Sequence, residues 1–102
     1  MPRLTQTRRI QTDAVQGEGS YVDATSPKVG EIRRVQRAPK GEDYEITLEL
    51  LVRHIIGWNW EDESGNALPL PKDDPAVIDE LTNDELVYLL RELTSSRHIT
   101  KN

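Results

Sequence analysis

The chain contains no cysteine, no phenylalanine and a single methionine, and only two histidines in 102 residues. Without cysteine, disulfide frameworks, thiolate metal sites and cysteine nucleophiles are excluded, a composition suited to a reducing cytosol. Aromatic side chains are scarce, with two Trp and three Tyr. The core must therefore rest on aliphatic positions plus whichever aromatics are buried, and a large enzyme pocket is not expected. No secretory hydrophobic segment is recognisable and no apolar run is long enough to span a bilayer, so no membrane partner is expected. What the chain does have is charge: 30% charged against 35% hydrophobic residues, with 13 Lys plus Arg, 18 Asp plus Glu and a net charge of -5. Such a chain is soluble and not far from the composition of disordered segments. Its length suits one modest core and is short for two. A single domain over residues 1–94 is expected, with 1–19 as an arm or edge strand and 95–102 as a flexible tail.

The charge is unevenly spread. Residues 1–40 hold eight basic and four acidic side chains, a net +4; residues 41–102 hold five and fourteen, a net -9. Opposite fields of this kind let copies of one chain associate head to tail or fix a partner's orientation. A merely solvated surface is the plain alternative.

Local patterns predict an α+β domain, mainly helical, with a short β element. Residues 3–12 alternate weakly, with Leu4 and Ile10 as the large apolar positions, and read as an arm or edge strand. Tyr21-Val22 is a short candidate strand ending before Ser26-Pro27, where Ser26 can cap a helix with Pro27 at its first position. Val29, Ile32 and Val35 form the apolar stripe of that helix and leave Arg33, Arg34 and Arg37 outside it. After the loop Ala38-Pro39-Lys40-Gly41, the spacing of Leu48, Leu51, Val52, Ile55 and Ile56 predicts a buried helix over 43–56 that stops at Gly57. Glu45-Ile46-Thr47-Leu48 also alternates as a strand would, which leaves its first turn open. Trp58-Asn59-Trp60 puts two indoles on one face if extended. The turn Glu63-Ser64-Gly65-Asn66 then leads to Leu68 and Leu70 in a paired loop or hairpin, whose Pro69 and Pro71 confine it to an edge or an irregular segment. Asp73-Asp74-Pro75 starts a short helix to about Glu80. Thr82-Asn83-Asp84-Glu85 matches a capping box for a last helix with Leu86, Leu89, Leu90 and Leu93 inward and Val87 at the margin.

No convergent set of reactive groups emerges, and no catalytic residue, cofactor or metal is expected. His54 falls on the polar side of the central helix beside Arg53, as a surface or boundary histidine without a companion; His98 lies in the tail. Glu61-Asp62-Glu63 with Gly65 fails as a calcium loop, because the EF-hand register would put Trp60 at its first position. Asp73 and Asp74 are explained by helix capping. Gly17-Glu18-Gly19 lacks the third glycine of a dinucleotide loop, Val22 occupying that position. Arg3, Arg8, Arg9, Lys28, Arg33, Arg34 and Arg37, with Tyr21 among them, would make a basic face, but the net acidic charge and the lack of a base-reading element argue against nucleic acid. Trp58 and Trp60 are candidate interface anchors, burial against the central helix being the plainer reading.

The stretches Asp13 to Val22, His54 to Trp60, Gly65 to Pro71 and Leu81 to Leu86 together resemble the small tail assembly chaperones of long-tailed bacteriophages, over roughly two thirds of the chain. In that family a series of aromatic, Asn, Trp, acidic turn, Gly and Leu-Pro precedes a helix. The chain departs from the family in the short connection between its arginine-bearing and central helices. The resemblance implies a non-enzymatic protein of the host cell cytoplasm that coats the tape-measure protein, assists tail-tube polymerisation around it and does not stay in the finished particle. Homo-oligomers and protein partners are expected, with Arg33, Arg34 and Arg37 as the contacting basic face, Tyr21 nearby, and Trp58 and Trp60 as anchors extending into an interface. Two other readings stand beside it: a structural virion component, such as a head-tail connector or a tail or decoration protein, and a phage protein that binds a host defence factor.

Overall fold

Three short β-branched segments find one another and make the centre of the molecule. In the computed structural model, which describes residues 4, 6–39, 41 and 43–94, β1 (Thr7–Gln11), β2 (Tyr21–Thr25) and β3 (Ile55–Trp58) form an antiparallel sheet in the order β1-β2-β3. Thr7 lies opposite Thr25 and Gln11 opposite Tyr21; Val22 lies opposite Trp58. β1 is thus an edge strand, as its weak alternation suggests, and β2, longer than the Tyr21-Val22 pair, is central. The tail from 95 onward, with His98, and also Arg3 and Lys40, lie outside the described residues.

Alternation sends Ile10, Val22, Ala24 and Ile55 to one face of the sheet. That face meets Leu50 and Leu51 of α3 (Asp43–His54), Val77 and Ile78 of a 3-10 helix (Pro75–Glu80), and Leu89 and Leu93 of α4 (Asn83–Thr94), with Trp60 closing the cluster. Two further helices flank it: α1 (Asp13–Gln16) between β1 and β2, and α2 (Val29–Gln36) after β2. The fold is α+β.

Two expected boundaries move. The helix over 43–56 ends at His54, and the chain enters β3 at Ile55 with no loop. β2 needs a partner on its second edge, and the β-branched pair Ile55-Ile56 supplies it at the expense of another helical turn. Gly57 is therefore not a helix stop: it lies in the ladder opposite Asp23. The buried stripe of α3 is Thr47, Leu50, Leu51 and His54, while Leu48 and Val52 are half-buried and Ile56 is exposed. α2 likewise begins at Val29 and not at Pro27. The Ser26 N–H donates to the Gln6 carbonyl at 3.0 Å, prolonging the β1-β2 ladder. The helix is capped by the Glu31 carboxylate, which accepts the Lys28 N–H at 2.7 Å. Val29, expected inward, is 61% exposed.

The C-terminal half follows its local rules closely. Trp58 and Trp60 stack, ring centroids 4.8 Å apart and planes within 6°. The turn after them closes through a Glu61–Ala67 bridge, with Gly65 at φ +84° where a side chain would be strained. Asp62 accepts the N–H groups of Asn66 and Ser64 in that turn, which holds its carboxyl below the usual range. Asp74 caps the 3-10 helix by accepting the Ala76 N–H at 3.2 Å. The Thr82 hydroxyl accepts the Glu85 N–H at 3.1 Å, and the Glu85 carboxylate accepts the Thr82 N–H at 2.9 Å. Thr82→Ala should therefore cost about 1 kcal/mol and lower the melting temperature by roughly 4–8 °C. A thermal unfolding curve superimposable on that of the unsubstituted chain would show that the reciprocal cap does not hold α4.

Candidate binding surface

The arginine-bearing helix is held to the fold from one side only. α2 buries none of its residues; Val35 is half-buried against the core. Its anchor is Glu31. That carboxylate caps Lys28, accepts Arg53 Nη1–H at 2.7 Å, and lies 3.0 Å from His54 Nε2 through both oxygens. On the far side of the imidazole, Nδ1 is 2.7 Å from Thr25 Oγ1. Nε2–H is directed at the carboxylate, and Nδ1 and the Thr25 hydroxyl share a hydrogen bond. Burial pushes the Glu31 carboxyl upward, but the Lys28 N–H, His54 and Arg53 outweigh it and bring it down to about 2.

His54 is thus buried and doubly partnered, not the surface or boundary histidine that its place beside Arg53 predicted. The register of β2 against β3 puts Thr25 and α2 over the end of α3, a long-range consequence that helical periodicity does not contain. A hydroxyl, an imidazole and a carboxylate in line resemble a nucleophilic relay. Thr25 is not among the residues that line the adjoining groove. The arrangement ties β2, α2 and α3 together.

That groove has a volume of about 920 Å³. Leu4 and Gln6 form one wall, Ser26, Pro27 and Lys28 the approach to α2, Gly30, Glu31 and Arg34 the helix side, and Arg53 and His54 the end of α3. Among the described residues three cations, Lys28, Arg34 and Arg53, and one carboxylate, Glu31, face it. Arg34 also pairs with Glu49 of α3 at 2.6 Å, both groups being more than half exposed. A second cleft, of about 230 Å³, has the opposite character: Glu61, Asp62, Glu63, Glu80 and Glu85 line it with Val15, Gln16, Leu68 and Thr82. Gln16 knits it, donating to the Glu61 carbonyl at 2.9 Å and to Glu85 Oε2 at 2.7 Å, while its own carbonyl accepts the Glu61 N–H at 3.2 Å.

The expected contact residues do not share one surface. Val29 and Arg33 of α2 and Arg37, its C-cap, are exposed and spaced four residues apart, with the Arg37 N–H still donating to the Arg33 carbonyl at 2.9 Å. Arg34 points from a different side, toward α3 and the groove. Tyr21 is not their neighbour, because it begins β2 and α2 follows the other end of that strand. Its ring sits under Arg9, whose Cζ is 3.8 Å from the ring centroid. Arg9 in turn holds Asp23 through Nε at 2.8 Å and Nη2 at 3.1 Å, which keeps the Asp23 carboxyl below and the guanidinium above their ordinary ranges. Trp60 is 1% exposed and donates its indole N–H to Thr12 Oγ1 at 3.0 Å, so it presents no surface. Trp58 is half-buried and donates to the Leu68 carbonyl at 3.0 Å. Sequence reading missed Glu31, although a carboxylate three residues after a helix-start position is a capping signal in its own right.

Among the described residues no group of three or more His, Cys, Asp or Glu is placed to hold a metal ion, and no helix is long and apolar enough to cross a membrane. Comparison with family models, with curated proteins and with solved structures finds no match to this chain.

Proposed function

We propose that this chain is a tail assembly chaperone of a long-tailed bacteriophage, acting in the host cytoplasm by binding the tape-measure protein and assisting growth of the tail tube around it. The resemblance of its Asp13 to Val22, His54 to Trp60, Gly65 to Pro71 and Leu81 to Leu86 segments supports that family. The observation that carries an adhesive mode of action is α2: a helix that buries no residue is nevertheless pinned by Glu31 to His54 and Arg53. A helix with so little part in the core is kept for its outer face. That face offers Val29, Arg33 and Arg37, an apolar contact followed by two long cations, suited to an acidic, elongated client that repeats weak contacts along its length.

Arg33→Glu/Arg37→Glu should reduce co-purification with the tape-measure protein of the same genome by at least tenfold, with the melting temperature unchanged to within about 2 °C, since exposed charges away from pairs contribute little to stability. Equal capture by the reversed and original chains would remove α2 from the contact. Mass spectrometry of purified particles tests the role itself: absence from the particle with abundance in infected cells is expected, whereas stoichiometric presence would turn the reading to a structural virion component.

A further inference from the structure

The basic groove and the acidic cleft lie at opposite ends of the same sheet. Leu4 and Gln6 precede β1 and Ser26 follows β2, so the groove is beyond the Thr7–Thr25 end. Val15 and Gln16 follow β1, and Glu61 follows β3 just past the Val22–Trp58 pair, so the cleft is beyond the Gln11–Tyr21 end. A five-residue strand separates the two ends by about 13 Å before either surface begins. We propose that the groove receives the acidic end of a second copy of this chain, so that copies add head to tail.

Charge names the occupant. Among the described residues Lys28, Arg34 and Arg53 face the groove against the carboxylate of Glu31. Glu61, Glu63 and Glu80 at the far end are exposed, and among the described residues no cation lines that cleft. The existing partners of Arg34 and Arg53 do not close the groove to a newcomer. Both guanidiniums are more than half exposed, and pairs of that kind hold weakly enough for an incoming carboxylate to share them. Pro27 and the exposed Leu4 add apolar surface between the cations.

Because the two complementary patches are different surfaces at opposite ends, satisfying one leaves the other open on each copy. The contact is heterologous and continues past two copies, into a ring or an open series according to its rotation, where an isologous contact would close at a dimer. An open series of copies is also what coating an elongated client requires, although self-association stands whether or not the tape-measure protein is that client.

Sedimentation of the full chain decides it. At low salt the weight-average mass should climb with concentration past twice the 11.6 kDa of one copy, and it should fall back to one copy near 1 M salt, where the screening length is about 3 Å. Lys28→Glu/Arg34→Glu reverses the head and Glu61→Lys/Glu63→Lys reverses the tail. Each variant alone should associate at least tenfold more weakly, and an equimolar mixture should recover the mass of the original chain, since every head then meets an opposite tail. All four side chains are exposed; if either double variant loses its cooperative unfolding, Lys28→Glu paired with Glu63→Lys serves the same exchange. A single-copy mass at every concentration in low salt, a plateau at two copies, or a mixture that stays monomeric would each overturn the proposal. Arg33→Glu/Arg37→Glu should sediment as the original chain does, which separates a failure of client binding from a failure of self-association.

Discussion

Trp60→Ala is expected to remove most of the stability of this domain, about 3–5 kcal/mol, the range for deleting a large aromatic from a packed core. Globular domains of this size hold roughly 5–15 kcal/mol in total, so the variant should melt at least about 12 °C lower or lose a cooperative transition altogether. Three separate contributions converge on this side chain. It is 1% exposed within the cluster of Ile10, Val22, Leu51, Leu89 and Leu93. Its ring stacks on Trp58 at 4.8 Å, an arrangement that adds to area burial. Its N–H serves Thr12 Oγ1, itself fully buried and 2.6 Å from the Ser20 hydroxyl.

Trp60→Phe separates these contributions, because it keeps apolar bulk and a stacking face while withdrawing the donor. A loss of about 1–3 kcal/mol is expected, and adding Thr12→Val together with Ser20→Ala, taken as one change, to the phenylalanine variant should recover part of it, since the Ser20 hydroxyl pairs with Thr12 and would otherwise be stranded. Urea unfolding of the four combinations measures the coupling. Strict additivity would mean that the indole N–H and the threonine hydroxyl do not depend on one another. Trp58→Ala should cost less than Trp60→Ala, the Trp58 ring being half-buried.

The parts of this molecule that can be read from its residues are those in which cause and effect lie within a few positions of each other. The Thr82–Glu85 cap, the Asp74–Pro75 start, the Gly65 turn and the two-residue spacing that stacks Trp58 on Trp60 are of this kind. What escaped reading depends on distant pairing. α3 stops at His54 because β2, some thirty residues earlier, has an edge to fill, and the same pairing buries His54 between Thr25 and Glu31. The candidate surface divides in the same way. That Arg33 and Arg37 share a face follows from the helical period, and so does the separation of Arg34 from them. The distance of Tyr21 from all three follows only once β2 is known to run from Tyr21 to Thr25 before α2 begins. The charge asymmetry of the sequence, +4 against -9, acquires a direction only when the sheet sets the groove and the acidic cleft at its two ends.

Glu31→Gln should be the second most damaging change, and its cost should depend on pH in a manner no neighbouring residue reproduces. The Glu31 carboxyl has its pKa lowered from 4.5 to about 2 in the fold: burial opposes ionisation, and the Lys28 N–H, His54 and Arg53 overcome it. A carboxyl depressed by that much contributes on the order of 3 kcal/mol wherever the unfolded chain would also be ionised. The sign follows from proton counting. Above about pH 5 neither state binds the proton and the contribution is complete; as pH falls from 4.5 toward 2, the unfolded chain takes up a proton that the folded chain refuses, and stability drains away. The Glu31 part of the difference in unfolding free energy between the original chain and Glu31→Gln should accordingly be complete at pH 5. It should shrink by up to about 1.4 kcal/mol per pH unit below 4.5 and approach zero near pH 2. Taking the difference between the two chains cancels the acid response of the other carboxylates. A gap that stays constant from pH 7 to pH 2 would show that the charge on Glu31 is not what pins α2 to the end of α3, and a helix held only by neutral hydrogen bonds would be a far looser platform for the contacts proposed on either of its sides.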